Sequence, residues 1–142
     1  MAAKIKTCKV KEILRKSESG ELDQARVLEL IEDIGELATA HPGHNLLLDL
    51  RDTELTSDAM GDIVEASMKA DRIKALHGIK IAGVVPDEAI RNFIASRVEG
   101  LMQWKGMDYR VFNDLDEATA WLSDECIVSQ ITAIWIGLVL DD

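Results

Sequence analysis

The side chains best suited to chemistry stand in one stretch, NLLLDLRDTELTSD, residues Asn45 to Asp58. Asp49 lies inside an apolar run, and Asp52, Glu54 and Asp58 follow it closely. Carboxylates at the carboxyl end of a central strand lie where α/β sheets place ligand sites, and they can serve a divalent cation or a phosphotransfer reaction. A metal-dependent enzyme built on Asp49, Asp52 and Asp58 requires the three to converge on one ion. The simpler reading is that Asp49 accepts hydrogen bonds from loop amides, because a buried charge needs partners and a turn supplies them. Thr56 and Ser57 place hydroxyls just ahead of a helix, where they either cap the first turn or carry phosphate.

Other reactive groups are sparse. The glycines are scattered singly, so no Gly-rich phosphate loop is present, and no GxSxG nucleophile motif occurs. His41 and His44 flank a Pro-Gly turn and read as solvated turn residues. His77 precedes Gly78 at a helix end, where a cation favours the helix dipole. Cys8 and Cys126 are far apart with no zinc spacing, which fits reduced thiols in the cytoplasm. Trp104, Trp121 and Trp135 make no stacking motif and read as core or interface residues. A phosphoacceptor receiver domain needs an early acidic pair, which KSESGELD (residues 16–23) does not convincingly supply. No cofactor and no metal is expected.

The elements that must position these groups alternate along the chain. An extended region over Ile5–Ser17, a hairpin or a bent strand, leads to turn residues in SESGEL. A helix from about Leu22 to Ala40 carries Val27, Leu30, Ile31, Ile34 and Leu37 at helical spacing, and HPGHN stops it. LLLDL, Leu46–Leu50, has the composition of a strand buried on both faces. A helix over about Asp58–Leu76 follows, with Ile63, Val64 and Met68 on one stripe. IKIAGVV is the next strand, and Pro86 opens a helix with Asp87 and Glu88 in its first turn. That helix carries Ile90, Phe93, Ile94, Val98, Leu101 and Met102 and ends near Gly106. YRVF is a short strand, and Asn113 or Asp114 caps a last helix running to about Ser123. The order β-α-β-α-β-α-β-α predicts an α/β fold, a mainly parallel sheet flanked by helices.

A length of 142 residues suits one domain, with 47% hydrophobic and 30% charged residues. The formal net charge of -10 argues against binding nucleic acid or an anionic membrane. Residues 1–20 hold six Lys/Arg against two Glu, so the other 122 residues carry -14. This basic arm suits an acidic partner or an acidic face of its own domain, or its lysines guard an edge strand against aggregation. The tail CIVSQITAIWIGLVL, Cys126–Leu140, is too short to span a bilayer comfortably. We expect residues 1–125 to form the domain and 126–142 an apolar extension packed on it or on a second subunit.

LLLDLRD, then IKIAGVV, then YRVFNDLDEATAWL together resemble the STAS family of anti-sigma-factor antagonists. The resemblance covers roughly residues 5–123 and is strongest to the SpoIIAA-like branch related to Sec14-type lipid-binding domains. It implies a bacterial regulatory module in which the loop after the LLLDL-like strand leads into a helix with a phosphorylatable Ser. A kinase-like anti-sigma partner modifies that Ser in such proteins, and the phosphate blocks binding. Here Asp58 falls at the acceptor position, Thr56 and Ser57 stand just ahead, and the glycine is displaced to Gly61.

The leading expectation is a non-enzymatic cytoplasmic module, a homodimer, that docks a protein partner through Asp52, Thr56, Ser57, Asp58 and the helix after them. The alternative is a carrier or sensor of a small apolar or lipid ligand. Its pocket would open between the helices starting near Asp58 and Pro86, lined by Met60, Met68, Phe93, Ile94, Leu101 and Met102.

Overall fold

The structure, a computed structural model, describes residues 12–56 and 60–123, apart from the side chains of Met60 and Asp62. The basic residues Lys4 to Lys11, both cysteines, Trp135 and the apolar tail lie outside the described residues.

Four parallel strands form one sheet in chain order. They are β1 (Ile13–Leu22), β2 (Asn45–Leu55), β3 (Lys80–Val84) and β4 (Asp108–Phe112). Between them run α1 (Gln24–Ala40), α2 (Met60–Ser67) and α3 (Ala89–Trp104), and α4 follows over residues 115–123. Each crossover steps in the same direction across the sheet, so a uniform hand puts α1, α2 and α3 on one face. Their side chains bury Leu46, Leu48 and Ile81 there. The alternate residues Leu47, Ala82 and Val84 face the other side, where Ala118 and Leu122 of α4 cover them. The alternating parallel architecture expected from the sequence is therefore present.

Several boundaries differ from expectation, each for a local reason. SESGEL is not a turn. It completes β1, which stays paired with β2 through Leu22 opposite Leu55. The polar residues are absorbed by a register shift between Ser17 and Ser19 and by Gly20, whose φ of 89° suits only glycine comfortably. β2 likewise runs five residues beyond LLLDL because β1 accompanies it. α1 starts two residues later than Leu22, since the Asp23 carboxylate accepts the Arg26 backbone N–H at 2.8 Å and caps it.

The helix expected through Leu76 ends at Ser67 and continues as two 3-10 turns, Met68–Arg72 and Lys74–Leu76. Ile73 between them is extended, and its side chain lies on Gly35 of α1, within 2.9 Å of where a Cβ would stand. Packing of Ile73 on α1 overrides helical continuation. α3 begins at Ala89 rather than Pro86, so Asp87 and Glu88 precede its first turn. Its buried stripe is Arg91, Ile94, Ala95, Val98 and Met102, one residue round from the expected one. Ile90 and Phe93 are exposed, and so is Trp104, which places it outside the core of the domain. Trp121 packs on Phe112 with ring centroids 5.8 Å apart. Asp114 caps α4 by accepting the Asp116 N–H at 2.8 Å.

Asn45 joins three elements. Fully buried, it donates from Nδ2 to the Leu122 carbonyl and accepts the Lys80 N–H at Oδ1, both at 2.9 Å.

Candidate functional site

Two places near the carboxyl end of β2 gather polar side chains. The first is Asp49. Alternation along β2 puts it on the same face as Leu47, and Arg15, opposite Leu47 on β1, shares that face. Arg15 Nη2 donates to Asp49 Oδ2 at 2.7 Å. Arg51 donates Nε to Oδ1 and Nη2 to Oδ2, each at 2.8 Å, and its backbone N–H reaches Oδ1 at 3.3 Å. Each carboxylate oxygen thus accepts two N–H groups, which occupies its lone pairs. The Arg51 hydrogen bonds, helped by Arg15 and opposed by burial, hold the Asp49 carboxyl well below the usual carboxylate range. A carboxylate so engaged serves structure: it has no free lone pair for a cation or for a proton in transfer.

Asp52 and Glu54 are exposed just beyond, and Thr56 is half-buried. Ser57 and Asp58 lie outside the described residues, so the capping of α2 and any meeting of Asp58 with Asp49 and Asp52 do too. Among the described residues, no group of three or more His, Cys, Asp or Glu side chains is placed to hold a metal ion. His41 is exposed and His44 half-buried at their turn, with His44 Nε2 3.1 Å from Glu12, whose hydrogen bond raises the His44 pKa. His77 stands at the end of the second 3-10 turn, its Nε2 2.7 Å from the Asp71 carbonyl.

The second place is a cavity of about 110 Å³ between the sheet and the three helices. Aliphatic side chains such as Leu30, Leu48, Ile63 and Val98 make most of its wall, and only Ser67, Arg91 and Tyr109 bring polar side chains. Ser67 Oγ is spent on the Ile63 carbonyl at 2.8 Å. Arg91 is 6% exposed and reaches Thr53, donating Nη1 to its carbonyl at 2.7 Å and Nη2 to its hydroxyl at 2.8 Å. Thr53 is itself buried and donates its hydroxyl to the Leu50 carbonyl at 2.6 Å. No carboxylate forms an ion pair with Arg91 among the described residues, and burial pushes its pKa down. Tyr109 reaches across to β3, where its hydroxyl stands 2.6 Å from where a Cβ on Gly83 would lie. Burial, with Glu99 adding repulsion, pushes the phenol up to about 12.

The sequence over residues 13–123 matches the family described as SpoIIAA-like. The chain belongs to the SpoIIAA-like family. The match spans all four strands, the Asp49 cluster and the cavity. Comparison with curated proteins gives no match.

In this SpoIIAA-like domain, Ile94 and Met102 line the cavity. Met68 and Leu101 pack on the same core without lining it, and Phe93 faces outward at 56% exposure, beneath the Arg97 guanidinium. The Met60 side chain lies outside the description. Sequence reasoning missed Arg91, Tyr109 and Gly83. Arg91 sits in AIRNFI among apolar residues on two adjacent helical stripes, and nothing local says which stripe faces inward. The single tyrosine, opening a strand two pairings from a central glycine, was the one available signal. Among the described residues no helix is long and apolar enough to cross a membrane.

Proposed function

We propose that the domain is a non-enzymatic regulatory module of the cytoplasm that binds a protein partner at the rim beyond β2. The observation that carries this reading is the SpoIIAA-like match across residues 13–123, since family membership suggests protein–protein interaction in general. The exposed Asp52 and the half-buried Thr56, placed where β2 leaves the sheet, support the position of the docking surface. The engagement of Asp49 by two guanidinium groups supports a binding role over catalysis. The test is recovery of partners from the native host with the wild type, Asp52→Lys and Ser57→Asp. Loss of one specific partner with either variant is the expected result. Recovery of the same partners by all three chains overturns the rim as the docking surface.

A second reading, favoured by the cavity, is a receptor for a small apolar molecule, as the resemblance to the Sec14-related branch would imply. Binding of any small apolar probe inside the core tests it.

A further inference from the structure

We propose that the cavity is a binding site for a small monocarboxylic acid, its apolar body among the aliphatic side chains and its carboxylate on Arg91. This rests on the receptor reading and specifies the ligand chemistry.

Three features of the cavity point the same way. The first is the buried cation. A guanidinium that is 6% exposed, with only the Thr53 carbonyl and hydroxyl as hydrogen-bond acceptors among the described residues and Glu88 acting on it through space, carries a charge that neutral oxygens solvate incompletely. Arginine has five N–H donors, and the bonds to Thr53 use two of them. An anion entering the cavity would compensate the charge and take donors that Thr53 leaves free. The second is Tyr109. Its hydroxyl makes no hydrogen bond among the described residues, and burial keeps it protonated, so β4 brings a neutral donor to the wall of the same cavity. The third is size. A cavity of about 150 Å³ lined by aliphatic and aromatic groups takes up benzene, and this one is about 110 Å³. The smaller volume suits a short chain or at most a small ring, and leaves little room inside for a long acyl chain. A phosphate dianion would have to shed far more hydration than a carboxylate in so apolar a wall.

The experiment titrates the whole chain with benzoate and with benzamide, its neutral counterpart, by calorimetry and by NMR of the Arg91 Nε–H and the single tyrosine ring. Hexanoate and dodecanoate test length. Benzoate is expected to bind at least about tenfold more tightly than benzamide, the factor one charge-assisted hydrogen bond supplies. Both reporter signals should shift, and dodecanoate should bind more weakly than hexanoate. Arg91→Met should lower benzoate affinity at least about tenfold while leaving benzamide within about twofold. Equal affinity of the wild type for benzoate and benzamide overturns the carboxylate site and leaves the apolar receptor standing. Failure of every probe to bind, or binding without change at Arg91 and Tyr109, overturns both. The wild-type comparison decides the matter even where Arg91→Met does not fold.

Discussion

At the scale of single residues, charge decides what each polar group can do. Asp49 has its pKa lowered from an ordinary 3.8, so its native interactions favour the ionised form. Stability from Asp49 is therefore complete above pH 3.8 and is lost as the pH falls below it. Asp49→Asn is expected to destabilise the domain by about 1–2 kcal/mol at neutral pH, a modest figure because both arginines are partly solvated. The variant should also flatten the acid limb of a denaturation-midpoint profile. Tyr109 has the opposite sign: its folded pKa of about 12 exceeds the ordinary 10.0. Its contribution holds below pH 10 and is lost as the pH rises toward 12. Because the chain has one tyrosine, ultraviolet titration reads this group alone. Ionisation delayed well past pH 10 is the expected result. That Asp49 is satisfied within the fold was legible in the sequence, because a carboxylate inside LLLDL needs partners. The partners are the Arg51 and Arg15 guanidinium groups and one backbone N–H rather than the loop amides expected. Arg91 was not legible, because a long aliphatic stem with a charged tip suits either side of a helix.

At the scale of elements, the fold is tied by a few contacts between segments remote in the chain. Asn45→Ala removes one acceptor and one donor serving Lys80 and Leu122, leaving the half-buried Lys80 N–H and the buried Leu122 carbonyl without these partners. A loss of about 2–4 kcal/mol in a denaturant titration is expected, from two such deficits. Gly83 and Tyr109 form a second tie. Gly83→Ala would place a methyl 2.6 Å from the Tyr109 hydroxyl, and should cost about 1–3 kcal/mol. In a Tyr109→Phe background the nearest atom is the ring carbon at 3.4 Å, an ordinary contact, so the penalty should largely vanish in a double-mutant cycle. Strand and helix identities were readable from apolar spacing and from Pro and Gly. Which stripe of α3 turns inward, and where α2 stops, depended on Arg91 meeting Thr53 and Ile73 meeting Gly35. Those contacts join residues 38 apart in the chain, and no local window contains them.

At the scale of the whole molecule, a net charge of -10 implies self-repulsion in the compact state. Raising sodium chloride from about 10 mM to about 150 mM shortens the screening length from about 30 Å to about 8 Å. The unfolding midpoint should rise over that range, and a fall would show that the ion pairs of Arg15, Arg51 and Lys105 outweigh the repulsion. The parallel pairing was legible from the alternation of elements, whereas the order of strands within the sheet was not read from the sequence. A sheet whose strands lie in the order of synthesis is laid down from one edge, each new strand finding its neighbour already in place. On the ribosome, however, Leu47, Ala82 and Val84 wait for α4, and Asn45 for the Leu122 carbonyl. A nascent chain paused before residue 115 would present that oily side of the sheet to chaperones, however complete its opposite side.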